Sequence, residues 1–239
     1  MNTGETTTVP NHSILITQGE SSFKLKDPVS ALTHAIGCIA AVAATPPLVL
    51  LGAQRLGGAV EVGSLAVFVL SMILLYAASA TYHTFDIPGR INRVLKKVDH
   101  CMVFVLIAGT YTPVCILTLD PAVGIPLLGV VWGIAVVGMV FKLFWVYCPR
   151  WVSSVLYIGM GWVCVFALPA IITGMTGPCF AWLLVGGVAY TVGGVIYALK
   201  LPVLEQAIPG FGAHELFHLF VLVGSACHYV CLYSFVLGA

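Results

Sequence analysis

The sequence predicts an all-α integral membrane protein with seven transmembrane helices, and three observations lead there. Of 239 residues, 60% are hydrophobic and only 8% are charged, whereas about a quarter of the residues in a soluble domain are charged. Mean hydropathy is +1.05. Apolar stretches recur along the chain, each near the ~20 residues that carry a helix across roughly 30 Å of hydrocarbon. Lipid offers no hydrogen-bond partners, so backbone groups in such stretches are satisfied within helices. This composition excludes a soluble fold and an extended disordered chain. Ten Lys plus Arg against nine Asp plus Glu give no basis for a nucleic-acid partner.

Residues Met1 to about Ser22 carry Thr, Ser and Asn without a basic or an apolar region, so a solvated tail is expected rather than a cleaved signal peptide. The expected organisation is a polar cytoplasmic tail over residues 1–28 and one membrane domain over residues 29–239. Spans are expected near Ser30–Leu51, Gly63–His83, Asp99–Leu119, Val123–Phe144, Val152–Ile172, Cys179–Leu199 and Ala213–Leu237. The connectors Leu56-Gly57-Gly58, Ile87-Pro88-Gly89, Asp120-Pro121, Gly177-Pro178 and Pro209-Gly210 carry turn chemistry and favour tight links between antiparallel neighbours. Pro46, Pro47, Pro113, Pro126 and Pro169 fall inside spans and predict kinks whose freed carbonyls find partners on neighbouring helices. Small residues in Gly133–Gly138 and at Gly186-Gly187 and Gly193-Gly194 are expected to let backbones approach closely.

Short loops rich in Lys and Arg stay in the cytoplasm. With the amino end inside, Lys24, Lys26, Arg90, Arg93, Lys96, Lys97, Lys142, Arg150 and Lys200 fall on the inner side and only Arg55 on the outer. The expected arrangement is therefore amino end cytoplasmic and carboxyl end outside. Trp145, Tyr147, Trp151 and Tyr157 gather around one inner connector, as an aromatic belt does.

Ionisable groups within spans are costly and point to function. Ser79 and His83 are four apart near the end of the second span, His214 and His218 are four apart at the start of the seventh, and Asp99 is expected to open the third. A spacing of four puts each pair on one helix face, and the topology brings all five to the cytoplasmic third of the bilayer. Two histidines at i and i+4 clamp a metal, and a third from another helix completes the three-ligand pattern of catalytic zinc. His83, His214 and His218 meet that count. Zinc lowers the pKa of bound water, and Asp99 suits the handling of its proton. Ser79 can serve a ligand's second nitrogen, the water or a developing oxyanion, and the residues do not choose among these roles. Of the other histidines, His34 is a candidate for the same cavity, His100 is expected at the interface, and His228 is expected to make a structural hydrogen bond.

His214-Glu215-Leu216-Phe217-His218 also matches the H-E-x-x-H metalloprotease pattern. No Asp or Glu follows Glu215 to act as a further ligand, and a carboxylate in the first helical turn favours the positive helix end, so proteolysis ranks below. The eight cysteines show no C-x-x-C spacing; they are read as small apolar packing residues with no deducible disulfide framework.

Four segments, Leu32-Thr33-His34-Ala35-Ile36-Gly37, Ser79-Ala80-Thr81-Tyr82-His83, Val98-Asp99-His100 followed by Gly109-Thr110-Tyr111-Thr112-Pro113, and His214-Glu215-Leu216-Phe217-His218, resemble the bacterial hemolysin III family. That family is grouped with progestin and adiponectin receptors and, more distantly, alkaline ceramidases. The resemblance implies zinc ligands at His83, His214 and His218, with Asp99 and Ser79 beside them, and a multi-pass protein of the bacterial plasma membrane. Family members usually open the first span with Glu and Asn, where this chain has Asp27 and Ser30. The expected function is a zinc-dependent hydrolase of a lipid amide or ester, with membrane lipid as ligand or substrate. A non-enzymatic receptor-like or membrane-homeostasis protein with structural zinc is the alternative. The polar residues gather at one side instead of lining a path, which ranks a cytolytic pore lower.

Overall fold

The computed structural model describes residues 25–87, 89–200 and 211–238. The residue 1–24 tail, Pro88 and the Pro209-Gly210 turn lie outside the described residues. The helices are α1 (Pro28–Arg55), α2 (Ala59–Thr84), α3 (Arg90–Leu117), α4 (Pro121–Phe144), α5 (Arg150–Gly161), α6 (Leu168–Gly174), α7 (Gly177–Leu199) and α8 (Ala213–Val230). A 3-10 segment, Trp162–Ala167, joins α5 to α6, and a π-helical turn, Cys231–Val236, extends α8. Among the described residues, seven helical units are long and apolar enough to cross a membrane, α5 and α6 together forming the fifth and α8 with its π turn the seventh.

Each start has a local cause. Proline occupies the first turn of α1, α4, α6 and α7, where its missing N–H removes no intrahelical bond. Asp120 caps α4 by accepting from Ala122 N at 2.8 Å, and Thr176 caps α7 by accepting from Cys179 N at 3.4 Å. Gly57 and Gly89 take positive φ, 71° and 81°, so the chain reverses between α1 and α2 and between α2 and α3 without a Cβ penalty.

The third span begins nine residues before the expected Asp99, at Arg90. Its first turns carry Arg90, Arg93, Lys96 and Lys97, so an apolar window passes over them although the helix is continuous. Asp99 accordingly lies roughly 14 Å along the helix and does not open it. The fifth span is broken rather than kinked, and Pro169 begins its second piece. Tyr111 of α3 fills the break: its hydroxyl donates to Gly161 O at 2.6 Å and accepts from Cys164 N at 2.9 Å. A neighbouring side chain thus serves the backbone groups that lipid cannot.

Neighbouring helices pack in sequence, α1 on α2, α2 on α3 and α3 on α4, while α7 lies on α8 and α8 returns to α1. The third span is the axis: 61% of its most apolar window is buried inside the protein, against 17% for the fifth. One core joins Leu48, Leu65, Phe68, Tyr76, Leu106 and Val221. The other joins Phe104, Tyr111, Val131, Met160 and Ile171. Lys142, expected among the inner-side charges, is fully buried at the end of α4, its Nζ donating to Ser153 Oγ at 2.5 Å and Cys148 Sγ at 3.1 Å.

Close approach governs the α3–α4 crossing. A Cβ at Gly124 would overlap the backbone carbonyl of Cys115, whereas one at Gly129 would meet nothing. Gly124→Ala is expected to cost about 1–3 kcal/mol through overpacking and to lower the unfolding temperature in detergent. Gly129→Ala, on the lipid-facing side of the same helix, should leave it unchanged or raise it. Equal effects of the two substitutions would refute the close-approach account.

Candidate metal centre

A short antiparallel strap sets the site. Leu25 and Phe85 form an isolated bridge, and within it Asp27 N donates to His83 O at 2.9 Å. Lys26 ties down the same strap, its Nζ donating to Asn92 Oδ1 at 3.1 Å and lying 3.3 Å from the centroid of the Tyr82 ring. Burial draws the Lys26 pKa below its usual value, and the neighbouring Asp27 charge partly opposes that shift. Asp27 precedes α1 but caps no helix N–H. Its Oδ2 instead lies 2.8 Å from His83 Nδ1. A histidine that donates Nδ1–H to a carboxylate presents its other nitrogen as a ligand.

That other nitrogen faces α8. His83 Nε2 and His214 Nε2 are 3.1 Å apart, and one ring nitrogen from each of His83, His214 and His218 lies within 4.8 Å of the others. Metal–nitrogen bonds of about 2.0–2.1 Å in a tetrahedral set separate two ligand nitrogens by roughly 3.3 Å, so small rotamer adjustments bring the three onto one ion. The set fits a divalent metal with a position left open. Glu215 fixes the start of α8, since Oε2 accepts from Gly212 N at 2.8 Å and Oε1 from the Ser30 hydroxyl at 2.8 Å. Both carboxylate oxygens are engaged in this clamp, and Glu215 does not line the cavity, which removes the geometry a metalloprotease base requires.

Beside the histidines is a small cavity of about 30 Å³ bounded in part by the polar side chains of Ser79, Asp99, His214 and His218, enough for an ordered water. Ser79 Oγ is buried without a protein partner among the described residues, as are His214 Nδ1 and His218 Nδ1. Unpartnered buried groups are costly in hydrocarbon, and all three belong to residues that line this one cavity. The structure therefore brings together Ser79, Asp99, His214 and His218 around the cavity, with the His83 ring 4.9 Å from that of His214 and 5.1 Å from that of His218.

His34 also reaches this space, as expected, stacked on His218 with ring centroids 3.8 Å apart and planes at 7°. His100 departs from expectation. It lines the cavity instead of the membrane interface, with Nδ1 3.4 Å from Asp99 Oδ2. His228 lies elsewhere, its Nε2 3.2 Å from Leu183 O, in keeping with a structural role. Asp27, Ser30 and Ser153 were not assigned to the site from the sequence. Ser153 lines the cavity in front of the buried Lys142. Asp27 and Ser30 stand where the resemblance shows Glu and Asn, and that position was the one signal that pointed to them.

A larger apolar cavity of about 370 Å³ adjoins the polar one, and Leu75, Val103, Tyr157, Tyr197, Phe217 and Val221 border both.

Fold and site together define a seven-span membrane protein with a three-histidine group near one end of its bundle. The chain belongs to the haemolysin-III-related family, whose model matches residues 23–229. It is 35% identical to Hemolysin-3 of Bacillus cereus over 217 residues, 91% of this chain and 94% of the relative. It is likewise 35% identical to a Hemolysin-3 homolog of Bacillus subtilis over 211 residues, 88% and 94% of the two chains. A shorter match, 40% identical over 52 residues and covering 20% of this chain and 16% of the relative, is to the ADIPOR-like receptor IZH2 of Saccharomyces cerevisiae. The spans and the bacterial relatives make this a multi-pass protein of the bacterial plasma membrane.

Replacing His83, His214 or His218 singly with Ala should remove divalent metal from the purified protein, read by elemental mass spectrometry. Asp27→Ala should retain the fold but weaken metal retention about 10–100-fold in chelator competition. Unchanged metal retention in Asp27→Ala would separate the carboxylate from the site.

Proposed function

We propose that this protein is a zinc-dependent hydrolase of a lipid amide or ester bond, with its amino end in the cytoplasm and its site toward the inner leaflet. The observation that carries this reading is the adjacency of two cavities, one polar beside three histidines and one apolar of about 370 Å³, sharing a common wall. An acyl chain suits the apolar space, and its linkage to the headgroup would then sit beside the histidines. Three nitrogen ligands and an open position suit zinc, held by His83, His214 and His218. Bound there, zinc supplies Lewis acidity toward a carbonyl and toward water.

The protein's own groups would do the rest. Asp99 is 7% exposed and lines the polar cavity, where it can accept a proton from the attacking water and return it to the leaving nitrogen or oxygen. The Ser79 hydroxyl, free of other protein partners among the described residues, can donate to negative charge developing on the carbonyl oxygen. Asp27 orients His83. The apolar walls order the chain and keep bulk water from the scissile bond. Placement of basic residues supports the orientation: nine of ten fall on one side in the sevenfold crossing.

A receptor-like protein with structural metal is the second reading. The histidines join α2 to α8 across 131 residues of sequence, as a structural metal would, and one partial match is to a receptor-like protein. The two readings separate on one variant. Asp99→Asn should keep its metal and lose hydrolysis of amide- or ester-linked lipids in detergent or vesicles by about 10²–10⁴-fold. No detectable hydrolysis by the intact protein across those lipids would discard the enzyme reading and leave the structural one.

A further inference from the structure

The end of the bundle away from the histidines holds a second close pair of reactive groups. Cys179 lies in the first turn of α7, and Cys231 begins the π-helical turn after α8. Their Sγ atoms are 2.9 Å apart, and the residues are 2% and 1% exposed. Cys231 Sγ also lies 3.3 Å from Cys179 O, so the two chain segments are in contact at this point. Two non-bonded sulfurs do not ordinarily approach so closely, and a small rotamer change reaches the S–S bond length of about 2.0 Å. No other two cysteine sulfurs among the described residues lie within hydrogen-bond distance of each other. Cys38 and Cys101 face the carbonyls of Ile73 and Met139, and Cys148 faces Lys142 and Ser153.

We propose that Cys179 and Cys231 form a disulfide on the extracytoplasmic side, stapling the end of the seventh span to the start of the sixth. The compartment rests on the orientation proposed above, in which this end of the bundle meets the oxidising side of the membrane. Formation proceeds by exchange with a disulfide-bearing oxidant. One cysteine thiolate attacks that disulfide, forming a mixed disulfide and releasing one thiol. The second cysteine then attacks the mixed disulfide, closing the Cys179–Cys231 bond and releasing the oxidant's other thiol. The two cysteines lose two electrons and two protons, and the oxidant is reduced to a dithiol or two thiols.

The staple has a mechanical consequence. His214 and Cys231 are separated by roughly 25 Å of helix, so the seventh span would be fixed at one end by its histidine contacts and at the other by a covalent bond. Residues 179 and 231 are 52 apart in sequence, and closing a loop of that size restricts the unfolded chain considerably.

The test uses the full chain in bacterial membranes, with thiols trapped by acid and then alkylated in denaturant, before and after reduction. Six of the eight cysteines should be modified before reduction and all eight after. Peptide mapping should recover residues 179 and 231 in one cross-linked species, and Cys179→Ser should leave Cys231 open to alkylation without reductant. A phosphatase fused after Ala239 reports independently which side that end occupies. Eight free thiols with an active phosphatase would overturn the disulfide while leaving the orientation standing. An inactive phosphatase would overturn the orientation and the extracytoplasmic staple with it, without touching the hydrolase reading of the histidine site. Reduction should also lower the unfolding temperature of the natural chain but not that of Cys179→Ser.

Discussion

Inside hydrocarbon a polar atom has only the protein to bond with, and that constraint organises this molecule. It explains why Tyr111 reaches across to the broken fifth span, giving and taking a hydrogen bond where the helix loses its own. It explains the buried triplet in which Tyr76 donates to Ser225 Oγ at 2.6 Å while Tyr190 lies 2.8 Å from the same oxygen. It also accounts for Lys142, a cation inside the bundle whose ammonium is shared between a hydroxyl and a sulfur. Against this pattern of local satisfaction, the unpartnered atoms carry information. Among the described residues, most of these atoms (Ser79 Oγ, both nitrogens of His34, and one nitrogen each of His100, His214 and His218) belong to residues lining the cavity beside which the histidines meet, the others being Ser154 Oγ and His228 Nδ1.

The histidine group depends on the chain leading into α1 as much as on the helices that bear it. His83 and the His214–His218 pair come from opposite ends of the sequence, so their approach requires α1, α2 and α8 to be held in register. The Leu25–Phe85 bridge places Asp27 on His83, and Ser30 one turn later bonds Glu215 at the start of α8. Four residues at the entry to α1 therefore hold His83 on α2 and the start of α8. The same hydrogen bonds decide the role of Glu215: with both oxygens committed to Ser30 and the Gly212 amide, it is a helix clamp, and the H-E-x-x-H spacing around it reflects two histidines one turn apart on the same face.

Much of this was legible in the sequence because the code for crossing lipid is coarse. Runs of apolar residues give the seven spans, and i,i+4 spacing with alternating topology brings Ser79, His83, Asp99, His214 and His218 to one depth. Four features were not legible, each for a physical reason. The first turns of α3 are charged, so no apolar window could include Arg90–Val98 although the helix starts there. Asp27 and Ser30 act through side-chain contacts with residues 56 and 185 positions away, and no local periodicity encodes such pairing. Helical spacing turns adjacent residues about 100° apart, which puts His100 on another face from Asp99, yet a side chain next to a cavity can turn into it, and this one does. The cysteine pair failed to register for the same reason as Asp27: its members are neighbours only after the sixth and seventh spans pack.

The division of the molecule along the membrane normal follows from how little polarity the fold can carry. Each buried ionisable group requires partners, and partners are scarce, so grouping them is more economical than scattering them: Asp99 shares its surroundings with His100, the three histidines face one another, and the clamp on Glu215 lies within one turn of His214. Concentrating them near one end leaves the rest of the interior free to be apolar, which is what produces the long cavity lined by residues such as Leu75, Val103 and Val221 next to the polar one. An amphiphile matches that pair of spaces, a polar linkage beside an apolar chain, whereas a transmembrane water path would require polar groups along the whole length. The cavity residue His228 does not extend such a path, because its Nε2 faces the Leu183 carbonyl. The distribution of polarity is thus the observation on which the proposed lipid site rests in preference to a pore, and it holds whether or not the histidines bind a metal.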